Sequence, residues 1–348
     1  MNVTICIDMK GCPNRCKHCW IGHMPNPNLS DSDVKSISDA FKEHFENITV
    51  YSWLREPDYC EHYRDRWIAD NELSSGAKPQ RFELASFYKI VREPEYIAFL
   101  KEVGTKSVQL TLFGLEETTD RYVGRKGAFR EILQATELLI ANGIAPRWQF
   151  FLNEENKAEA PGLLALIGEL RLKERCPGFT FFLHEGSCDG ENAKLYPLRI
   201  RKESVAAELL PYYPDFGSKC TERELVKRFQ TKTQEYFVPS NHHGDIVLFV
   251  SGAWDVFFNF THMTSPWVIG NIKTDAMSEL CRRIQEEDIP ALRAAQTIPL
   301  SELAARYGDP GSTRLFEEYD YKMFLLNRFL SNLRTFPAVA RSGSFGLP

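Results

Sequence analysis

The sequence predicts an α/β chain built as a partial (β/α)6 TIM-like barrel, with a C-terminal β-hairpin and helices covering its open side. Three observations predict it. Six short apolar runs, at 3–7, 48–53, 81–87, 107–113, 146–152 and 179–183, alternate with segments of helical period, the pattern of β/α units around a parallel sheet. Each run is followed by a polar or glycine-containing loop, so these loops share one face. After residue 183 the alternation stops, and runs at 245–250 and 254–260, joined by Ser251-Gly252-Ala253, read as a hairpin.

The elements between these strands follow from local chemistry. Over 31–45, Val34, Ile37, Phe41 and Phe45 fall on one helical stripe, with Ser30 or Asp31 placed to cap it. Residues 58–80 are charged, aromatic and longer than a usual βα loop, and read as an insertion that forms a lid. Phe129, Ile132, Leu133, Leu139 and Ile140 repeat the helical stripe, and Gly143 fits the position just past the helix end. Residues 185–240 mix Pro, Gly and charge. From 276 to 333 the pattern is helical and amphipathic, broken at Pro290, Pro299 and Pro310, and 334–348 reads as a frayed tail. The expected division is a barrel over 1–190 with the 58–80 insertion, a connecting segment and hairpin over 191–275, and a helical region over 276–348.

At 348 residues with 43% hydrophobic and 26% charged residues, the chain is long enough for a large core and too apolar for disorder. Lys+Arg 42 against Asp+Glu 47 leaves a net charge of −5, which with no long basic run argues against nucleic acid as the partner. Residues 1–10 lack the basic and apolar regions of a signal peptide, and nowhere do about 18 apolar residues run together. No membrane partner and a cytoplasmic location are expected. Nine cysteines, an odd number without a secretory signal, point to reduced thiols, some of them metal ligands.

Three of the nine lie close together in Gly11-Cys12-Pro13-Asn14-Arg15-Cys16-Lys17-His18-Cys19-Trp20, immediately after the first predicted strand. Three thiolates on one short loop can ligate three corners of a [4Fe–4S] cube and leave the fourth iron open. The alternative is a zinc site with His18 or His23 as fourth ligand, although the chain offers no second ligand doublet. Cys-x3-Cys-x2-Cys after the first strand of a β/α barrel resembles the signature of the radical S-adenosylmethionine (SAM) superfamily. That resemblance implies one [4Fe–4S] cluster on Cys12, Cys16 and Cys19, with SAM on the open iron, reductive cleavage to a 5′-deoxyadenosyl radical, and hydrogen abstraction from a substrate. It also implies an external electron donor of the flavodoxin or ferredoxin type.

Further stretches carry the resemblance over about the first 190 residues. Trp53-Leu54-Arg55-Glu56-Pro57 matches the Gly-Gly-Glu-Pro block in its Glu and Pro but not its glycines, and implies Glu56 as receiver of the methionyl ammonium. Residues 109–116, Asp120 and Gly127-Ala128-Phe129 resemble blocks of the subgroup with a C-terminal SPASM or twitch extension, where Phe113 replaces the usual Asp. Thr111, Gln149 and Asn153 at the strand ends are expected around the cofactor, together with His18 and Ser86. The runs where that subgroup carries auxiliary-cluster cysteines have Asn241 and Asn259 instead, while Gly270-Asn271-Ile272 is kept, so a twitch-like hairpin without a cluster is expected. His184 and Glu185 stand where a proton donor and acceptor would serve, and Cys188 where a thiol would return hydrogen to a substrate radical. Cys6, Cys60, Cys176, Cys220 and Cys281 are isolated and read as small buried hydrophobes.

A single cluster offers no sink for a second electron. The expected reaction is therefore a redox-neutral rearrangement, elimination, epimerisation or decarboxylation of a small polar metabolite or natural-product intermediate. Modification of a ribosomally made short peptide is the alternative, and a non-catalytic metal-binding protein is a third reading.

Overall fold

The computed structural model describes residues 2–19, 21, 29–79, 84–188, 190–239, 245–258, 263 and 265–333. Its strands are β1 (Asn2–Lys10), β2 (Asn47–Leu54), β3 (Ser107–Leu112), β4 (Ala145–Phe151), β5 (Thr180–His184), β6 (Cys220–Thr221), β7 (Asp245–Val250), β8 (Asp255–Phe257), β9 (Val268–Asn271) and β10 (Leu315–Phe316). Its helices are α1 (Asp31–Lys42), α2 (Tyr63–Leu73), α3 (Phe87–Ile90), α4 (Pro94–Glu102), α5 (Glu116–Val123), α6 (Ala128–Ala141), α7 (Ala160–Glu169), α8 (Leu172–Arg175), α9 (Glu222–Gln230), α10 (Met277–Gln285), α11 (Pro290–Ala295), α12 (Leu300–Tyr307) and α13 (Glu318–Leu333). Short 3-10 turns fill much of 190–218.

Five of the six expected strands form, as β1 to β5. The third does not form in its described part: 81–83 lie outside the described residues, 84–86 are not strand, and Phe87 opens α3. The cause is local. The Ser86 hydroxyl accepts the Lys89 amide as an N-cap, which competes with extended pairing. The strands fall into three sheets, β3-β4-β5 all parallel, β2-β1-β7-β8-β9, and the short antiparallel pair β6-β10, with no ladder between the first two among the described residues. This is a mixed α/β fold with parallel sheets, not a demonstrated closed barrel.

The hairpin also departs from expectation. β7 and β8 are antiparallel neighbours, but β7 pairs in parallel with β1 from Asn2↔Asp245 to Ile7↔Val250. It extends the first sheet instead of standing apart as a cover, so the expected boundary near 190 cuts through one sheet. A continuous apolar run, Ile246 to Val250, suits a strand buried on both faces. Ile246, Leu248 and Val250 join the core of Val3, Ile5, Ile7, Ile48 and Val50 beneath α1 and the C-terminal helices. Phe249 packs on the other face with Cys6 and Phe257. The second sheet buries Val108, Leu110, Leu112, Trp148, Phe150, Phe181 and Leu183 under its own helices.

Residues 58–80 are no lid. They carry α2, which packs on β2: Asp70 accepts from the Ser52 amide at 2.8 Å and hydroxyl at 2.7 Å, and Ser74 Oγ from the Val50 amide at 2.9 Å. Its buried side mixes Tyr63 with the ion-paired Arg66 and Asp70, so no continuous apolar stripe announces it. Elsewhere local signals hold. Ser30, not Asp31, caps α1 in a reciprocal box with Asp33. Gly143 follows α6 at φ 73°, Pro290 opens α11, and Pro299 caps α12.

Because β7 completes the core around β1, Leu248→Ala, at a fully buried position, is expected to lower stability by about 2–5 kcal/mol. Urea unfolding followed by tryptophan fluorescence measures it, and a loss below about 1 kcal/mol would show that β7 is dispensable to the sheet.

Candidate functional site

The cysteine loop leaves the C-terminal end of β1 and crosses to the second sheet. There the amides of Arg15 and Lys17 donate to the carbonyls of Val123 and Tyr122, each at 2.8 Å, at the end of α5. Gly124, at φ 74°, makes this approach possible: a Cβ there would lie 3.0 Å from Arg15 Cβ and 3.2 Å from its carbonyl oxygen. The His18 ring inserts between Phe113 and Phe151, 4.7 and 5.2 Å away between centroids. Arg125 Nε donates to Asn14 Oδ1 at 3.0 Å, and the Asn14 amide lies 3.3 Å from Cys12 Sγ. The loop is thus pinned at both sheets, over the C-terminal strand ends where β/α folds place their sites.

Glu56, just beyond β2, closes on this loop. Its Oε2 meets Cys12 Sγ at 3.6 Å and Asn14 Nδ2 at 3.5 Å, whereas Oε1 is buried with no hydrogen-bond partner. Burial pushes its carboxyl up to about 7, against the lowering pull of Ser86, Cys12, Arg125 and Asn14. Arg55, which stands where glycine was expected, folds back as a buried ion pair with Asp8 of β1, Nη2 to Oδ2 at 2.7 Å. That pair fixes the turn preceding Glu56.

The thiols resist ionisation. Desolvation pushes Cys16 up to about 12, with Cys19 and Glu56 adding repulsion, and Cys12 is raised still further by desolvation and Glu56. Three thiolates beside a carboxylate are tolerable only with a cationic centre among them, and the unpartnered Glu56 oxygen waits for a donor. Among the described residues no three His, Cys, Asp or Glu side chains converge on one ion. The donor set fits a [4Fe–4S] cluster with an amine-bearing ligand.

The other expected residues divide. The inner faces of β3, β4 and β5 align Gln109, Arg147 and Thr180 in one row, and Thr111, Gln149 and Phe182 in the next. Gln149 Oε1 accepts from Thr111 Oγ1 at 2.9 Å and Gln109 Nε2 at 3.0 Å, so the structure brings this pair together. Ser86 is buried at the head of α3, near Glu56. Asn153 is spent locally: its Oδ1 accepts the amides of Glu155 and Asn156, and its Nδ2 donates to Tyr122. His18 is held neutral, lowered to about 4 by burial and by His184, and its Nδ1 is buried without a partner.

His184 ends β5 at an exposed position, and desolvation lowers its pKa, opposed by Glu185 and helped by Lys219 and Arg199. Glu185 is not a free acceptor beside it. It is buried, accepting from Lys219 at 2.7 Å and Tyr213 at 2.6 Å, with Arg199 at 3.5 Å. Burial alone would raise its pKa, but Arg199, Lys219 and His184 hold it below the ordinary value. Cys188 is 3% exposed inside the main core, its Sγ 3.4 Å from Arg199 Nη1, so it does not face the mouth as expected. His23, Asn241, His242, His243 and Asn259 lie outside the described residues. Asn14 and Arg125 were not foreseen; Asn14 was visible inside the cysteine loop, but Arg125, 111 positions away, carried no signal.

If the close fit at Gly124 seats the loop, Gly124→Ala should destabilise the protein by more than Gly143→Ala, which has the same backbone sign and open space around it. Each bears about 1 kcal/mol or more of left-handed strain, and the contact with Arg15 adds to it. Iron retained after anaerobic reconstitution should fall only in Gly124→Ala, and equal behaviour of the two variants would refute the seat.

Three comparisons bear on this arrangement. Residues 6–153 match the family model for the radical SAM superfamily. A Methanosarcina barkeri (strain Fusaro / DSM 804) protein described as Fe-coproporphyrin III synthase is 34% identical over 210 residues, 56% of this chain and 53% of that protein. The chain thus spans about half the length of this relative. Native anSMEcpe with bound AdoMet has a similar fold, with a TM-score of 0.50 at 13% identity over 96% of this chain and 98% of that one. The same protein with AdoMet and the Cp18Cys peptide gives 0.50 at 12% identity over 96% and 99%. The matched segment contains the cysteine loop, Glu56, Thr111, Gln149 and Asn153, and over that segment the chain is similar to the radical SAM superfamily, whose members are enzymes that use a [4Fe–4S] cluster and SAM.

Proposed function

We propose that this chain reductively cleaves SAM at a single [4Fe–4S] cluster and abstracts hydrogen from a small polar metabolite or natural-product intermediate, in a redox-neutral rearrangement, elimination, epimerisation or decarboxylation. The observation that carries the reading is the set of three thiols, Cys12, Cys16 and Cys19, on one loop that meets Glu56 through Cys12 Sγ, with Glu56 Oε1 left buried and unpartnered. When bound, the cluster and SAM supply a 5′-deoxyadenosyl radical as the hydrogen-abstracting agent.

The residues divide the work. Cys12, Cys16 and Cys19 hold three irons, and Glu56 Oε1 accepts from the methionyl ammonium. His18, fixed by Phe113 and Phe151, offers its buried Nδ1 to the cofactor. Thr111 orients Gln149, whose amide nitrogen remains to donate into the mouth. The polar inner rows, with Arg147 and His184, suit a polar substrate. The remaining six cysteines support a single cluster, because each packs against an apolar core: Cys6, Cys188 and Cys281 within one, and Cys60, Cys176 and Cys220 against one. A relative described as making Fe-coproporphyrin III favours a small molecule. The fold shared with a peptide-bound neighbour supports the second reading, a maturase of a ribosomally made peptide. An external electron donor of the flavodoxin or ferredoxin type completes the reaction.

Anaerobic reconstitution should give about four irons per chain and reductant-dependent release of 5′-deoxyadenosine. Cys16→Ala should abolish both. Glu56→Gln should keep the iron and raise the KM for SAM by roughly 10- to 100-fold, the loss of one charge-assisted hydrogen bond. About eight irons would restore a second cluster, and stable zinc with no cleavage would leave only a metal-binding protein.

A further inference from the structure

The cysteine loop and the α5–α6 junction form an unusual surface. Segments 11–19 and 121–130 carry Arg15, Lys17, Arg121, Arg125, Lys126 and Arg130 and no acidic residue, in a chain whose net charge is −5. Backbone hydrogen bonds lay the first segment directly on the second, so these cations belong to two adjoining segments. Arg121, Arg125 and Arg130 are matched by Glu155, Glu131 and Glu116. Arg15, Lys17 and Lys126 are exposed and make no salt bridge with any described residue; Lys17 lies over the Tyr122 ring at 4.9 Å and within reach of Glu155's field, and Glu117 and Glu155 are exposed acids nearby.

Position gives this surface its meaning. Arg15 and Lys17 are exposed and flank Cys16 in sequence, so a partner seated on them lies beside the cysteine loop. In an acidic chain a local positive face orients a negatively charged partner and raises its encounter rate, while the rest of the surface repels it. We propose that the face formed by Arg15, Lys17 and Lys126 docks an acidic one-electron carrier protein of the flavodoxin or ferredoxin type. The assignment rests on the functional reading above, in which the reduced carrier gives up one electron and the site gains it. Lys126 is an orienting contact outside the cysteine loop and no part of the site itself.

The test uses the reconstituted full chain and a purified acidic flavodoxin. Binding is measured by interferometry at about 20 and about 200 mM salt, where screening lengths differ by about threefold. The wild type should bind and lose at least about tenfold in affinity across that range. Lys126→Glu should weaken low-salt binding several-fold, and Arg15→Glu/Lys126→Glu at least about tenfold. 5′-Deoxyadenosine release driven by reduced flavodoxin should fall in step, while release driven by dithionite stays at the wild-type rate in Lys126→Glu. Carrier affinity unchanged in both variants, or no carrier binding by the wild type, overturns the docking surface. A wild type inert with dithionite would instead overturn the functional reading, and the binding measurements would still decide the surface.

Discussion

The contact on which the site depends is the seating of residues 15–17 against the C-terminal end of α5. Two amide-to-carbonyl hydrogen bonds, to Val123 and Tyr122, join a loop emerging from one sheet to a helix belonging to the other. They are possible because Gly124 has no side chain where Arg15 passes. Without this contact, Cys12 would be held only through β1, and the His18 ring would have no reason to enter between Phe113 and Phe151. The two sheets share no strand ladder among the described residues, so the loop, not the sheet, sets how the first strand's functional end meets the third and fourth.

That seat holds together groups that oppose one another. Cys12 and Cys16 have the charged form disfavoured by desolvation and by the neighbouring Glu56, Glu56 has it disfavoured by burial alone, and Glu56 Oε1 forgoes a hydrogen bond. Buried polar atoms without partners cost about 1–3 kcal/mol each. A protein keeps such a cost where a ligand repays it. Arg125 and the Arg55–Asp8 pair provide the countervailing order: the first bonds Asn14 within the loop, and the second fixes the turn before Glu56.

Much of this was legible in the sequence, and what was not had physical causes. The cysteine spacing and Glu56 are local signals, as are the N-cap at Ser30 and the proline breaks near 290 and 299, and the structure bears out the cap and the breaks. The third strand was misread because a Ser86 cap followed an apolar run. The helix over 63–73 was hidden because its buried side mixes Tyr63 with Arg66 and Asp70 instead of a continuous apolar stripe. Glu185 looked available beside His184 because its partners, Arg199, Tyr213 and Lys219, lie 14 to 34 positions away. The pairing of β7 with β1 spans more than 240 residues and has no local cause, although the unbroken apolar run from Ile246 to Val250 already suited a strand buried on both faces better than an exposed hairpin.

That long-range pairing changes what the C-terminal region does. β7 covers one edge of β1, and the buried group of Glu185, Arg199 and Lys219 ties the far end of β5 to Leu315 and Glu317. Both outer margins of the parallel strands are therefore anchored to residues beyond 190. The inner rows of polar side chains lie between these anchors. Their spacing depends on how the C-terminal segments pack, as much as on the strands that carry them. Replacing a buried charge there would disturb the mouth from a distance, because removing one partner leaves the others buried and unpaired. The cluster-holding end of the molecule is thus determined by its own loop, and the shape offered to a substrate by the part of the chain that carries no candidate chemistry.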